Sequence, residues 1–330
     1  MRINDIMIQR FTAQLPTWAR SDHPVLRYEL ARTPRRVTRR GRYLRGLGVV
    51  VLALVLILGG YLAATGLLQH PPGQNLTESA IAVVFWPTLA LQVLMRIAAI
   101  MMTSNTVTEE VRRQTWDNLR ATESGAALTL RARWASVFYR LRPLLTIVLL
   151  VRVVLIAGIL YDLTAFQGRY LDLLINGVVP DSSPAVAALL LAFLMTSSLL
   201  LPVTGLGFDA AVGLLFSTLI QQRTYSGLLQ ILLIIIRVAI VVLLTIGATQ
   251  LINGELQETQ NWAAWLLIAG FAALGDWGLA FLHLGFYGEI WATIPYGIFL
   301  GLALLIYAII ESGLTDWILA LAIRQAERKG

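Results

Sequence analysis

Apolar runs long enough to cross a lipid bilayer recur along this chain, at about 46–68, 79–102, 143–163, 184–219 and 226–250, and through an interrupted stretch from 262 to 311. The hydrocarbon layer is about 30 Å thick and takes roughly 20 apolar residues of helix to span. Inside it, every backbone N–H and C=O must find a partner within the segment or within a closed barrel. None of these runs alternates apolar and polar residues as a barrel strand does, so the spans are helices. The fold class that follows is all-α, a polytopic integral membrane protein. Composition points the same way, since no soluble core requires 57% hydrophobic residues with 14% charged.

Charge orients the spans. Residues 1–45 carry eleven Arg against Asp5, Asp22 and Glu29, and residues 105–142 carry seven Arg against four acids, whereas the loops 69–78, 164–183 and 251–261 are neutral to acidic. By the positive-inside tendency the leader 1–45, the elbow 105–142, the turn at Arg223 and the tail with Arg324, Arg328 and Lys329 face the cytoplasm. Full crossings are then even in number. Two expectations follow for the ambiguous segments. The run 184–219, interrupted by Pro202, Gly205 and Gly207, is one kinked helix, because two crossings would carry Arg223 outside. The run 262–290, which holds Asp276, His283 and Glu289, re-enters as a pair of short helices, because a full crossing would strand the basic tail outside. With a last crossing at 293–312, a transmembrane domain over 46–330 has about six transmembrane helices and a cytoplasmic tail, 313–330. The expected location is the cell (plasma) membrane, the inner membrane of a bacterium, with both termini cytoplasmic.

The leader places Ile3, Ile6, Met7, Phe11, Leu15 and Trp18 at helical spacing among Arg and polar residues. Such a face lies flat on anionic lipid as an N-terminal amphipathic interfacial helix. Aromatics this close to a span favour lipid over nucleic acid as the partner of the Arg-rich stretch. The first apolar run begins only near Gly46 and outlasts a signal peptide's core, so no cleavable signal is expected.

Several chemistries have no residues to carry them. There is no cysteine, and Lys329 is the only lysine, so a Gly-x-x-x-x-Gly-Lys phosphate loop cannot form and ATP hydrolysis by that route belongs to another chain. His23, His70 and His283 fit no zinc or haem spacing, and neither a metal nor a cofactor is expected. An enzyme reading rests only on Asp276, His283 and Glu289 as acid and base at the membrane surface. Helix-end solvation explains them more simply.

The elbow carries more information. Thr103 to Thr122 has the spacing of one helix, with Glu109 and Glu110 one turn before Arg113. Val107, Val111, Trp116 and Leu119 form an apolar side that faces the membrane or a partner's groove. An exposed Trp and Leu among charges has the composition of an interface anchor.

Glu110, Thr115, Leu119 and Thr122 form the pattern Glu-x-x-x-x-Thr-x-x-x-Leu-x-x-Thr after the second span. With HPVLRYEL at His23 to Leu30 and GLLFSTLIQQRTYSGLLQ at Gly213 to Gln230, the chain resembles permease subunits of ABC transporters of the type-2 exporter class. It departs from them at Gln114, where the family usually has Gly, and at Thr122-Glu123-Ser124, which lacks the proline that ends the coupling helix. The resemblance implies a membrane half-transporter and a cytosolic ABC ATPase on a separate chain. It also implies a second permease subunit, like or unlike, and re-entrant helices before the last span. Glu109, Glu110, Thr115, Trp116, Leu119 and Thr122 would then lie on a cytoplasmic coupling helix between spans 2 and 3. The rival reading is a non-transporting scaffold subunit of a larger membrane complex, whose elbow binds some other soluble protein.

Within the spans, Arg96, Arg152, Asp209 and Arg237 are costly unless paired or wet. Either Asp209 pairs with one Arg and the others are structural, or the four line a pathway whose excess of Arg favours an anionic or amphipathic substrate. Gly297 and Gly301 make a small-x-x-x-small pair suited to close helix packing.

Overall fold

The computed structural model describes residues 15–31, 58, 76–112, 114, 116, 125–165, 184–220, 222–252, 261–275 and 299–328. A turn of 3-10 helix at Thr17–Ala19 leads into α1, Pro24–Ala31. The longer elements follow: α2 Leu76–Thr103, α3 Thr106–Arg112, α4 Gly125–Ala165, α5 Pro184–Leu219, α6 Arg223–Ile252, α7 Asn261–Gly270 and α8 Leu300–Arg328. A π-helical turn, Phe271–Gly275, extends α7. Among the described residues there is no strand, and five helices (α2, α4, α5, α6 and α8) are long and apolar enough to cross a membrane. Apart from Leu58, which is helical, the first expected span lies outside the described residues. So do Asp276, His283 and Glu289.

The segment 184–219 is a single helix that passes through Pro202. Two of the long helices run past the ends of the apolar runs read from sequence. The basic second half of the elbow is the opening of α4, which runs 41 residues from Gly125 through Pro143 to Ala165. At 1.5 Å per residue it is about 60 Å long, twice the thickness of the hydrocarbon layer. The tail from 313, read from sequence as a helix that leaves the membrane, continues α8 without a break to Arg328. Polar composition marks where a helix leaves lipid, and a helix need not end there. Between α6 and α8, the apolar stretch Trp262–Leu274 is shorter than a span and packs with its π-helical turn against α6.

Hydroxyl side chains inside these helices are satisfied locally. Thr88 donates to the Val84 carbonyl at 2.8 Å, Thr196 to Ala192 at 2.7 Å, Thr245 to Val241 at 2.7 Å and Thr315 to Glu311 at 2.7 Å. Each uses a carbonyl one turn earlier, so these four donors are not left bare in an apolar setting.

α5 and α8 pack along each other more extensively than any other pair of elements. Gly301 explains how close they come: a Cβ there would stand 2.6 Å from both the Leu190 carbonyl oxygen and the Leu194 nitrogen of α5. Only a residue without a side chain admits that approach. Gly297 lies outside the described residues. Met95, Ala99, Val137, Leu141, Leu206 and Ala210 join α2, α4 and α5. At the end where α2 and α5 stop and α4 and α6 begin, here termed the basal end, Val107, Leu130, Leu214 and Leu319 form a second core.

Candidate functional site

Two clusters of buried charge organise the molecule. The first lies inside the bundle. Arg96 of α2 pairs through Nε with Asp209 of α5, and its Nη2 lies 3.5 Å from Oε1 of Glu311 on α8. The other oxygen of Glu311 accepts a hydrogen bond from Thr204 at 2.7 Å. Arg237 of α6 brings its Nε to 3.9 Å from Asp209. Four helices therefore meet at two cations and two anions, all buried. The Arg96 guanidinium also lies against Gly205, where a Cβ would stand 2.5 Å from Nη1. The glycine is what lets the cation reach both acids.

Of the two readings open from sequence, the pairing of Asp209 with an Arg is the one this geometry favours. Arg96, Asp209 and Arg237 come together, but Glu311 balances them, so the cluster has no excess positive charge with which to attract an anion. Arg152 stands apart on α4, fully buried, with Nη2 donating to Gln92 of α2 at 2.6 Å. Glu311 escaped notice because it falls at the last turn of the expected crossing, where an acid reads as an end. Its place one turn after Tyr307, in an otherwise apolar run, was the available signal.

The second cluster lies at the basal end. Thr103 closes α2, two residues turn, and the Thr106 hydroxyl donates back to the Thr103 carbonyl at 2.8 Å. α3 then runs only to Arg112, and Gln114 takes φ of 56°. That left-handed residue breaks the single helix expected over Thr103 to Thr122. Gln114 carries a Cβ in a backbone region that favours glycine. Ser217 of α5 caps α3 from outside: its Oγ accepts the Val107 N–H at 2.8 Å and the Thr108 N–H at 3.4 Å. Thr108 in turn donates to the Ile220 carbonyl at 2.9 Å. The orphan donors at the start of α3 are thus satisfied by the end of α5.

Glu110 reaches beyond its own helix. Its Oε1 accepts from Arg133 Nη2 of α4 at 2.9 Å, while Arg133 Nε donates to Glu29 of α1 at 3.1 Å. Trp116 is not an exposed anchor either. It is 6% exposed and packs with Val107, Leu130, Leu214 and Leu319. Burying an indole outweighs leaving it for a partner, since truncating a buried Trp costs about 3–5 kcal/mol. Glu109 is half-buried on α3, and Gln114 is exposed at its end. Thr115, Leu119 and Thr122 lie outside the described residues.

Arg133 was not singled out from sequence, and Glu29 and Ser217 stood there only within the stretches His23 to Leu30 and Gly213 to Gln230, with no contact to α3 assigned. Each is distant in sequence from α3, and only the packing of α1, α4 and α5 at the basal end brings them to it. Compared with family models, curated proteins and solved structures, the chain finds no match.

Proposed function

We propose that this chain is the membrane-spanning permease subunit of an ATP-driven exporter, working beside a second permease subunit and driven by a cytosolic ATPase on a separate chain. One observation supports this above others. α3 is a short helix at the basal end whose backbone is capped by Ser217 of α5 and whose Glu110 is held by Arg133 of α4. A push on α3 therefore moves α4 and α5 as well, which is what a coupling element must do. Glu109, Glu110 and the segment through Thr115, Leu119 and Thr122 carry the load, and Trp116 fixes α3 to the core. In this reading the basal end is cytoplasmic, and α7 with its π-helical turn is the first half of a re-entrant pair before the last of about six spans. Arg96, Asp209, Glu311 and Arg237 tie the moving helices together as an internally balanced joint, and the transported molecule is recognised elsewhere.

The absence of cysteine makes the test direct. Gln114→Cys puts a single thiol at the exposed end of α3. Cross-linking in membranes should join it to a co-isolated chain that bears a phosphate-loop lysine. Labelling of that thiol only from the external face would sink the proposal. Capture of other membrane subunits and no such ATPase would favour the scaffold.

A further inference from the structure

α1 buries Leu26 and Glu29 against α4 and turns Arg27 and Tyr28 outward, Tyr28 being 62% exposed. A tyrosine beside an arginine suits a headgroup layer, with the ring at the apolar boundary and the guanidinium on phosphate. Leu26 sits in a seat made by Ala132 and Ala135, flanked by Trp18, Trp134 and Tyr139. Tyr139 donates to the Ala19 carbonyl at 2.8 Å, and Arg140 Nη2 donates to the Glu29 carbonyl at 2.8 Å. α1 is therefore fixed to α4. Beside its seat, Arg131 and Arg142 are exposed close to three whole turns apart, and so on one face of α4. On the described part of the leader, Asp22 is the one exposed acid. Seven further arginines follow between 32 and 45. The charge of the surface is complementary to anionic lipid.

The inward side of the same helix ends on α3. Arg133 is 3% exposed, and its guanidinium holds Glu29 through Nε and Glu110 through Nη2. One buried cation thus joins two acids from helices far apart in the sequence. With little water to screen it, loss of either acid changes the hold on the other. We infer that the outer face of α1 rests on an anionic leaflet, and that lipid headgroup charge is felt at α3 through Glu29, Arg133 and Glu110. Lipid composition then sets how firmly the coupling helix is held. The inference rests on reading α3 as the element a partner pushes, but its test needs no partner.

The full chain is reconstituted in vesicles of phosphatidylcholine alone or of phosphatidylcholine with phosphatidylglycerol, and hydrogen exchange is followed at the amides of 106–112. Phosphatidylglycerol should slow exchange there by at least about five-fold, the low end of coupling between two linked sites. Glu29→Gln and Arg133→Gln should each remove that slowing while the lipid still protects α1 itself. Should Arg133→Gln fail to fold, Glu29→Gln, which keeps the Arg133 and Glu110 pair, carries the test. Equal slowing of α3 in the variants, or none in the unaltered chain while α1 is protected, overturns the inference. Either result leaves the cross-linking test of the ATPase partnership standing on its own.

Discussion

The two ionic clusters use the same side chains for different ends. Around Arg96, charges from α2, α5, α6 and α8 meet two against two, all buried between helices that are each long enough to cross a membrane. Around Arg133, one cation holds two acids, and those acids come from the short helices α1 and α3. The first arrangement ties long helices to one another, and removing any member leaves a charge stranded in an apolar interior. The second ties peripheral elements to a long helix and has a spare acid when one is lost. Burial alone does not separate them, since Arg96 and Arg133 are almost equally hidden. What separates them is how many long helices depend on the cation.

The largest effect is expected at Arg96. Arg96→Ala leaves Arg237 as the one cation against Asp209 and Glu311 and should cost about 3–5 kcal/mol, the usual penalty for removing one partner of a buried pair. Thermal unfolding in detergent, followed by loss of the monodisperse species, measures it. Replacing the pair as a unit, with Arg96→Met and Asp209→Leu, leaves Glu311 and Arg237 to balance each other and should recover most of the loss. A double variant no better than the single would mean that the cluster's value is positional and not electrostatic.

Gly205→Ala attacks the same cluster without touching a charge. Its methyl group would lie 2.5 Å from Arg96 Nη1, so the guanidinium must move off its acids, at about 1–3 kcal/mol in the same assay. Little effect would show that Arg96 reaches Asp209 by another rotamer.

At the basal cluster, Glu110→Gln keeps an acceptor for Arg133 and removes only the charge. The loss should be about 1–2 kcal/mol, the margin of a charge-assisted over a neutral hydrogen bond, and it should be local. Faster hydrogen exchange in α3 with α5 unchanged is the expected signature. Global loosening on the scale of Arg96→Ala would erase the distinction between the clusters.

Which parts of this were legible in the sequence follows from the range of the forces involved. The helical class, the single helix through Pro202 and the tight packing at Gly301 come from length, hydropathy and residue size, which act locally. Arg96, Asp209 and Arg237 stood out because a charge in an apolar run is costly wherever its partner lies. Glu311 did not, because its run looked finished. At Arg142 and at Ser312 composition changes while backbone hydrogen bonding continues, so α4 and α8 run through both positions. Trp116 misled for a related reason: charged neighbours in sequence suggested solvent, yet Ser217, Arg133 and the C-terminal half of α8 pack around α3 and Trp116. Those three arrive only through tertiary packing.

The smallest effect tests whether α8 is fragile as a whole or only where it meets the cluster. Gly313 stands two residues past Glu311, is exposed, and has open space where a Cβ would go. Glycine in a helix interior is destabilising by roughly 0.5–1 kcal/mol relative to alanine, because it loses more backbone freedom on folding. Gly313→Ala should therefore raise the unfolding temperature slightly, opposite in sign to Gly205→Ala although both add one methyl group. If both lowered it alike, the packing of α5 against α8 would be intolerant of any change, and the special weight given to the contact between Arg96 and Gly205 would be lost.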